Sequence, residues 1–67
     1  MKLTPEQFEL LKSKFNEHFA TGNLRRGQSY MVALFDVNSD LYKEITGTNC
    51  DPFYLDSRID EFLKRII

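Results

Sequence analysis

The sequence predicts a compact all-α domain of about four short helices, and three observations support this. Apolar residues recur at three- and four-residue spacing in several segments. Residues that cap or end helices stand at the ends of those segments. The period-two alternation typical of strands is absent. With 67 residues, 42% of them hydrophobic and 13% aromatic, the chain is expected to form one domain, residues 1–67, around one core.

The first helix is predicted over residues 5–20. Thr4 is the N-cap, Pro5 suits the first helical position, and Gln7 completes a capping box. Gly22 ends the helix because glycine adopts the left-handed conformation that closes many helices. The expected core-facing residues are Phe8, Leu11, Phe15 and Phe19, with His18 as the alternative to Phe19.

The second helix is predicted to be capped by Asn23, with a start near Gln28 as the alternative. With the Asn23 cap, Gly27 lies inside the helix, where glycine costs about 1 kcal/mol relative to Ala. Close approach of another backbone is the structural reason we expect. The predicted core face consists of Leu24, Met31, Ala33, Leu34 and Phe35.

Two shorter helices follow. Asn38 or Ser39 caps the third helix, and Gly47 ends it. Asp56 or Ser57 is the predicted cap of the last helix. The apolar positions of these two helices are Leu41, Tyr42, Ile45, Ile59, Phe62, Leu63 and Ile66.

The stretch between them, 47-GTNCDPFYLDS-57, has the composition of a turn. Asp51 followed by Pro52 initiates turns, and Pro52 is predicted to begin a single helical turn. We expect Phe53 to fill the core, with Tyr54 beside it. The favoured interpretation is a structural corner, and a binding role for its exposed face is the alternative.

Several function classes lack their motifs. The segment Asp36-x-Asn38-x-Asp40 copies the start of a calcium loop but lacks the Gly and Glu that such loops require. No glycine-rich phosphate loop is present, and His18 has no nucleophile signature near it. A single cysteine, Cys50, excludes an internal disulfide and a Cys-based zinc site, and indicates a reduced thiol in the cytoplasm. We therefore expect no enzyme, no cofactor and no metal.

Charge is unevenly distributed along the chain. Residues 1–35 carry a net +2, residues 36–61 a net −5, and the last basic pair adds +2, which gives −1 overall. An acidic second half argues against binding along a phosphate backbone. No apolar stretch approaches the roughly 18 residues of a membrane span, so no membrane contact is expected.

A longer pattern runs from Arg25 to Leu63. Its parts are Arg-x-Gly-Gln, an apolar helix ending in Leu, Gly-Thr, Asp-Pro-Phe, an Asp, and a closing Phe-Leu. The residues that carry it are Arg25 or Arg26, Gly27, Gln28, Leu34, Gly47, Thr48, Asp51, Pro52, Phe53, Asp56, Phe62 and Leu63. In this pattern the chain resembles a loose group of small proteins encoded by bacteriophages and prophages. The position held here by Val32 or Ala33 is often Asn in that group, so the chain departs from the pattern there.

The resemblance implies a bacterial cytoplasm, during infection or in a lysogen, and no particular activity. Small phage proteins of this kind commonly act by binding, often to a host protein. The resemblance also implies that Gly27-Gln28 and Asp51-Pro52-Phe53 meet in space. Gln28 is then expected to hydrogen-bond the backbone of residues 48–52, which would make both motifs mainly structural rather than a shared ligand site.

The leading hypothesis is a non-enzymatic protein-interaction module. Tyrosine suits interfaces because it offers apolar area together with a hydrogen bond. The candidate partner-binding residues are Tyr30, Tyr42, Tyr54, Asp40, Glu44, Asp51 and Asp56. The alternative is a nucleic-acid-associated regulator that uses Lys12, Lys14, Arg25 and Arg26. A homodimer that covers leftover apolar surface is the third hypothesis.

Overall fold

Four α-helices surround one core in the computed structural model, which describes all of residues 1–67. No strand is present, so the predicted all-α single domain is confirmed. A short 3-10 turn leads directly into the last helix. The helices are α1 (Pro5–Ala20), α2 (Arg26–Val37), α3 (Ser39–Ile45) and α4 (Ile59–Ile66), and the 3-10 turn is Asp56–Arg58.

The predicted ends of α1 are confirmed. The Thr4 hydroxyl accepts a hydrogen bond from the Gln7 amide at 3.1 Å, and the Gln7 side chain accepts one from the Thr4 amide at 3.0 Å. This reciprocal pair satisfies two amides that the helix itself leaves unpaired. After the helix, Gly22 has a φ of +78°, the left-handed conformation expected of it.

The core is built from the apolar stripes of all four helices. α1 packs mainly on α2, while α3 and α4 close the remaining sides. Two predicted core residues are instead exposed: Phe19 at 43% and Phe35 at 53%. Phe19 only stacks on Phe15, and α3, with seven residues, is too short to cover Phe35. The buried cluster consists of Leu11, Met31, Ala33, Leu34, Leu41, Ile45, Phe62 and Ile66.

The start of α2 differs from the prediction. Its N-cap is Arg25 rather than Asn23, and the Arg25 side chain makes no capping hydrogen bond. The carboxylate of Asp56 supplies that bond instead, because its Oδ1 accepts from the Gly27 amide at 3.0 Å. Asp56 was expected to cap the last helix, and that expectation is wrong. α4 begins through the 3-10 turn, whose first residue faces α2.

Gly27 is required by close packing. A Cβ at this position would overlap the carbonyl oxygen of Pro52 and would lie 2.9 Å from Asp56 Oδ1. The Gly27-Gln28 and Asp51-Pro52-Phe53 motifs therefore meet, as the resemblance implied. The predicted bond from Gln28 to the 48–52 backbone is wrong, because Gln28 Oε1 accepts from the Arg25 amide at 3.0 Å and so serves its own helix.

Polar contacts join the helices at their edges. The Asn38 side chain caps α3 by accepting from the Leu41 amide at 3.0 Å, as predicted. His18 Nε2 lies 2.8 Å from Asp36 Oδ2 and links α1 to α2, whereas Arg65 donates to Glu44 at 3.1 Å and links α4 to α3. None of the four helices has the length and apolar character needed to cross a membrane.

Candidate functional site

The loop that connects α3 to the 3-10 turn, residues 46–55, is held in its conformation by one buried carboxylate. Asp51 is only 8% exposed. Its Oδ2 accepts from the Gly47 amide at 2.8 Å, and its Oδ1 accepts from the Phe53 amide at 2.9 Å. These bonds give Gly47, with a φ of +81°, a fixed place after α3. Turn chemistry therefore explains the buried part of the loop, as the corner interpretation predicted.

The loop is fastened to the start of α2 through a set of contacts that we call the capping contact, formed by Arg25, Gly27, Pro52, Phe53 and Asp56. Arg25 Nη2 donates to the Phe53 carbonyl oxygen at 2.5 Å, and Arg25 Nε lies 3.8 Å from Asp56 Oδ1. The predicted helical turn at Pro52 is absent: the chain bends at Phe53 and Tyr54, and Arg25 bonds the Phe53 carbonyl. Pro52 itself is fully buried.

Beyond the capping contact, the same loop forms one wall of an exposed aromatic groove, defined here as Val32, Phe35, Tyr42, Phe53 and Tyr54. α2 contributes the first two residues, α3 contributes Tyr42, and the loop contributes the last two. The groove has two adjoining depressions, of about 140 Å³ and about 260 Å³. Tyr42 and Phe53 line both depressions and so separate them.

The two depressions differ in polarity. The larger is lined only by Val32, Phe35, Tyr42 and Phe53, and its walls are therefore mainly apolar. The smaller adds a carboxylate and a hydroxyl group to its rings. Its lining residues are Met31, Tyr42, Thr46, Asp51, Phe53 and Tyr54.

The rings of the groove meet at steep angles. Phe53 and Tyr54 have ring centroids 4.9 Å apart at 70°, and Phe35 and Tyr42 have centroids 5.2 Å apart at 80°. Edge-to-face pairs of this kind are favourable, so the rings hold each other in place. Even so, Phe35 is 53% and Tyr54 80% exposed. Phe53, predicted to fill the core, is half-buried at the core's edge and lines the groove.

The predicted partner-binding residues are partly brought together. Tyr42, Tyr54 and Asp51 line the same depression. Tyr30 instead stacks on Phe15 at 4.1 Å between centroids and packs against the core. The remaining acids of that set have different surroundings: Glu44 is paired with Arg65, Asp56 belongs to the capping contact, and Asp40 is exposed without an ion pair.

The predicted basic set is largely engaged with the protein itself. Lys12 lies 2.8 Å from Glu9, and Lys14 lies 3.7 Å from Glu17. Arg25 belongs to the capping contact, which leaves Arg26 as the member without an ion pair. Surface pairs such as the two on α1 contribute little energy, so they do not fix the lysine side chains in place. They do lower the local positive charge.

Outside the groove, the structure offers one other depression, of about 350 Å³, lined by Leu3, Thr4, Pro5, Phe8 and Ile67. It contains no charged side chain. Cys50 is a half-buried free thiol, and no three His, Cys, Asp or Glu side chains are grouped to hold a metal ion.

Sequence reasoning missed Val32, Phe35 and Thr46 as surface residues of one site. Phe35 follows the apolar spacing of α2 and was assigned to the core for that reason. The available signal was the shortness of α3: a seven-residue helix contacts only a narrow strip of its neighbour. Met31, Leu34 and Phe35 form an apolar stripe on α2 that is wider than this strip, so one edge of the stripe, Phe35, is left exposed.

The chain was compared with family models, with curated proteins and with solved structures, and nothing among them matches it. What bears on its function is therefore the chemistry of the groove.

Proposed function

We propose that this chain is a non-enzymatic accessory protein that binds a partner protein through the aromatic groove. The setting is the one that its resemblance to phage- and prophage-encoded proteins implies, a bacterial cytoplasm, and the partner is a bacterial host protein. The occupant of the groove is a segment of that partner that carries apolar side chains and basic neighbours.

The observation that carries the proposal is the contiguity of the groove. Single exposed apolar residues are normal on any protein surface and need no explanation. Here, however, Phe35 and Tyr54 are exposed at either end of a continuous set of rings from three parts of the fold. Contiguous aromatic surface is typical of interaction sites, where Tyr and Phe supply much of the binding energy.

Charge supports a basic partner. The groove is built from residues within 31–54, a segment with a net charge of −3 in which Asp51 lines the groove itself and Glu44 is offset by Arg65. The chain as a whole carries only −1. Opposite charge on the partner would accelerate association and disfavour acidic competitors.

The volumes of the two depressions support the proposal that single side chains of the partner occupy them. Sites for drug-sized ligands measure roughly 300–1,000 Å³. The two halves of the groove, about 140 and 260 Å³, are smaller and suit one side chain each. A partner that places neighbouring side chains in both halves would use the whole groove.

The test is a comparison of variants in pull-downs from bacterial lysate with quantitative mass spectrometry. The groove variant is Phe35→Ala combined with Tyr54→Ala. The matched control is Leu10→Ala, because Leu10 on α1 is similarly exposed, at 47%, and lies outside the groove. We expect wild type and the control to retain the same host protein, and the groove variant to lose it.

Each lysate is also treated with nuclease. Retention that disappears with nuclease in all three samples would replace the proposal with the nucleic-acid alternative and direct attention to Arg26 and the lysines of α1. A protein retained equally by the groove variant would contradict the proposed site. Sedimentation of the free protein over a range of concentrations separates a third outcome, a homodimer through the groove, from binding to another protein.

A further inference from the structure

The smaller depression has the composition of a cation-binding pocket. Tyr42, Phe53 and Tyr54 present three aromatic rings around it, and Asp51 contributes a carboxylate. Ring faces carry partial negative charge, so several rings around one space attract ammonium and guanidinium groups. No basic side chain lines this depression. The pocket therefore combines aromatic walls with a carboxylate and contains no internal cation.

Asp51 strengthens this interpretation because its charge is unbalanced. Its two hydrogen bonds come from the neutral amides of Gly47 and Phe53, and no Lys, Arg or His lies within ion-pair distance. A carboxylate that is 8% exposed and has no counter-ion is unusual, since buried charges are normally paired. The hydrogen bonds explain how the loop folds, but they leave a net negative charge beside the rings.

We infer that this depression binds the cationic end of a partner's Lys, methylated Lys or Arg side chain, while the adjoining apolar depression receives a neighbouring apolar side chain. The inference rests on the proposed function and specifies what the groove recognises. A volume of about 140 Å³ admits the end of one side chain. The recognition element is thus a positively charged residue next to an apolar one.

The cation requirement is tested with two probes of the same shape. Choline carries a quaternary ammonium group, and 3,3-dimethyl-1-butanol is its neutral counterpart. Each is titrated into the isotope-labelled protein while the aromatic and methyl resonances of the groove are followed by NMR. We expect choline to shift the Tyr42, Phe53 and Tyr54 signals saturably, with a dissociation constant about tenfold or more below that of the neutral probe.

The variant for this test is Tyr54→Leu, which removes an aromatic ring but keeps an apolar side chain at an exposed position of the pocket. We expect choline binding to weaken by about threefold or more. The control is Phe19→Leu, which removes an exposed ring on α1 and should leave choline binding unchanged. Asp51→Asn is unsuitable, because an amide cannot accept both hydrogen bonds that hold the loop.

A second arm establishes that a polypeptide side chain is the occupant. N-acetyl-Leu-Arg-amide is compared with N-acetyl-Leu-citrulline-amide, in which the guanidinium is replaced by a neutral group of the same shape. Tighter binding of the Arg peptide supports the inference. If choline binds but the two peptides bind equally, a free quaternary amine replaces the side chain as ligand and the inference is overturned.

Equal binding of choline and its neutral counterpart would also overturn the inference, as would unchanged choline binding by Tyr54→Leu. Neither result would remove the proposed function. A groove that selects only apolar side chains would still lose its partner when Phe35 and Tyr54 are replaced together. The two proposals can therefore fail independently.

Discussion

The capping contact and the aromatic groove use the same loop in opposite ways. At the capping contact, the loop packs so closely on Gly27 that no side chain would fit there. Arg25 of α2 donates to the Phe53 carbonyl, and Asp56 accepts from the Gly27 amide. At the groove, Tyr54 presents an 80% exposed ring and the half-buried Phe53 lines both depressions. The difference teaches that the turn-rich stretch 47–57 is a structural corner whose aromatic residues also form the candidate binding surface.

Gly27→Ala tests the tightest point of the capping contact and should have the largest effect. The new methyl group would overlap the Pro52 carbonyl oxygen, and backbone cannot move aside as a side-chain end can. We expect a loss of about 2–3 kcal/mol in the free energy of unfolding, measured by urea denaturation, despite the better helix propensity of Ala.

Gly22→Ala is the comparison for that variant. Nothing lies within 4 Å of a Cβ at Gly22, so its cost of about 1 kcal/mol would come from the left-handed backbone alone. A Gly27→Ala protein as stable as wild type would show that the loop is not seated against α2 as described.

Asp56→Ala removes the acceptor for the Gly27 amide and should destabilise the protein by about 1–2 kcal/mol, the usual value for losing an N-cap. Asp56→Asn keeps an acceptor oxygen and should cost less. Thermal unfolding of the pair gives the comparison. Equal losses for Ala and Asn would indicate that the charge opposite Arg25, rather than the cap, is what matters.

Arg25→Ala should cost about 1 kcal/mol, because the Phe53 carbonyl loses its donor from α2. Arg26→Ala provides the neighbouring control, since Arg26 has no ion pair and is exposed. Denaturation curves that shift equally for both arginines would argue against the capping contact.

Tyr54→Ala should have the smallest effect on stability, within about 0.5 kcal/mol, because the side chain is 80% exposed. The same substitution should strongly reduce partner retention. Calorimetric unfolding supplies the first value and the lysate pull-down the second. A large loss of stability would mean that the ring belongs to the corner and not to the binding surface.

Local rules predicted most of the fold. The Thr4–Gln7 capping box and the Asn38 cap each join residues within one turn, and the structure confirms both. The apolar spacing that assigned Leu11 to the core face of α1 and Phe62 to that of α4 is equally local, and both residues are buried. Asp56 was assigned to the nearest helix for the same reason, and wrongly, because its partner Gly27 lies 29 positions away. Capping preferences carry no information about contacts at that separation.

The candidate site was less predictable. Tyr42, Tyr54 and Asp51 were named from the sequence and line one depression, but Phe35 was assigned to the core because periodicity marks apolar faces without showing what covers them. Tyr30 has the same residue type as Tyr54, yet it packs on Phe15, since its helix face meets α1. Exposure of an aromatic residue is a property of tertiary packing.

The most direct test of the division between a structural capping contact and a binding groove compares partner retention by Tyr54→Ala and by Asp56→Ala. Both are measured at a temperature where both variants are fully folded. The account predicts that Tyr54→Ala loses the host protein retained by wild type while Asp56→Ala, although less stable, still retains it. Retention by Tyr54→Ala equal to that of wild type would contradict the assignment of the groove as the binding surface.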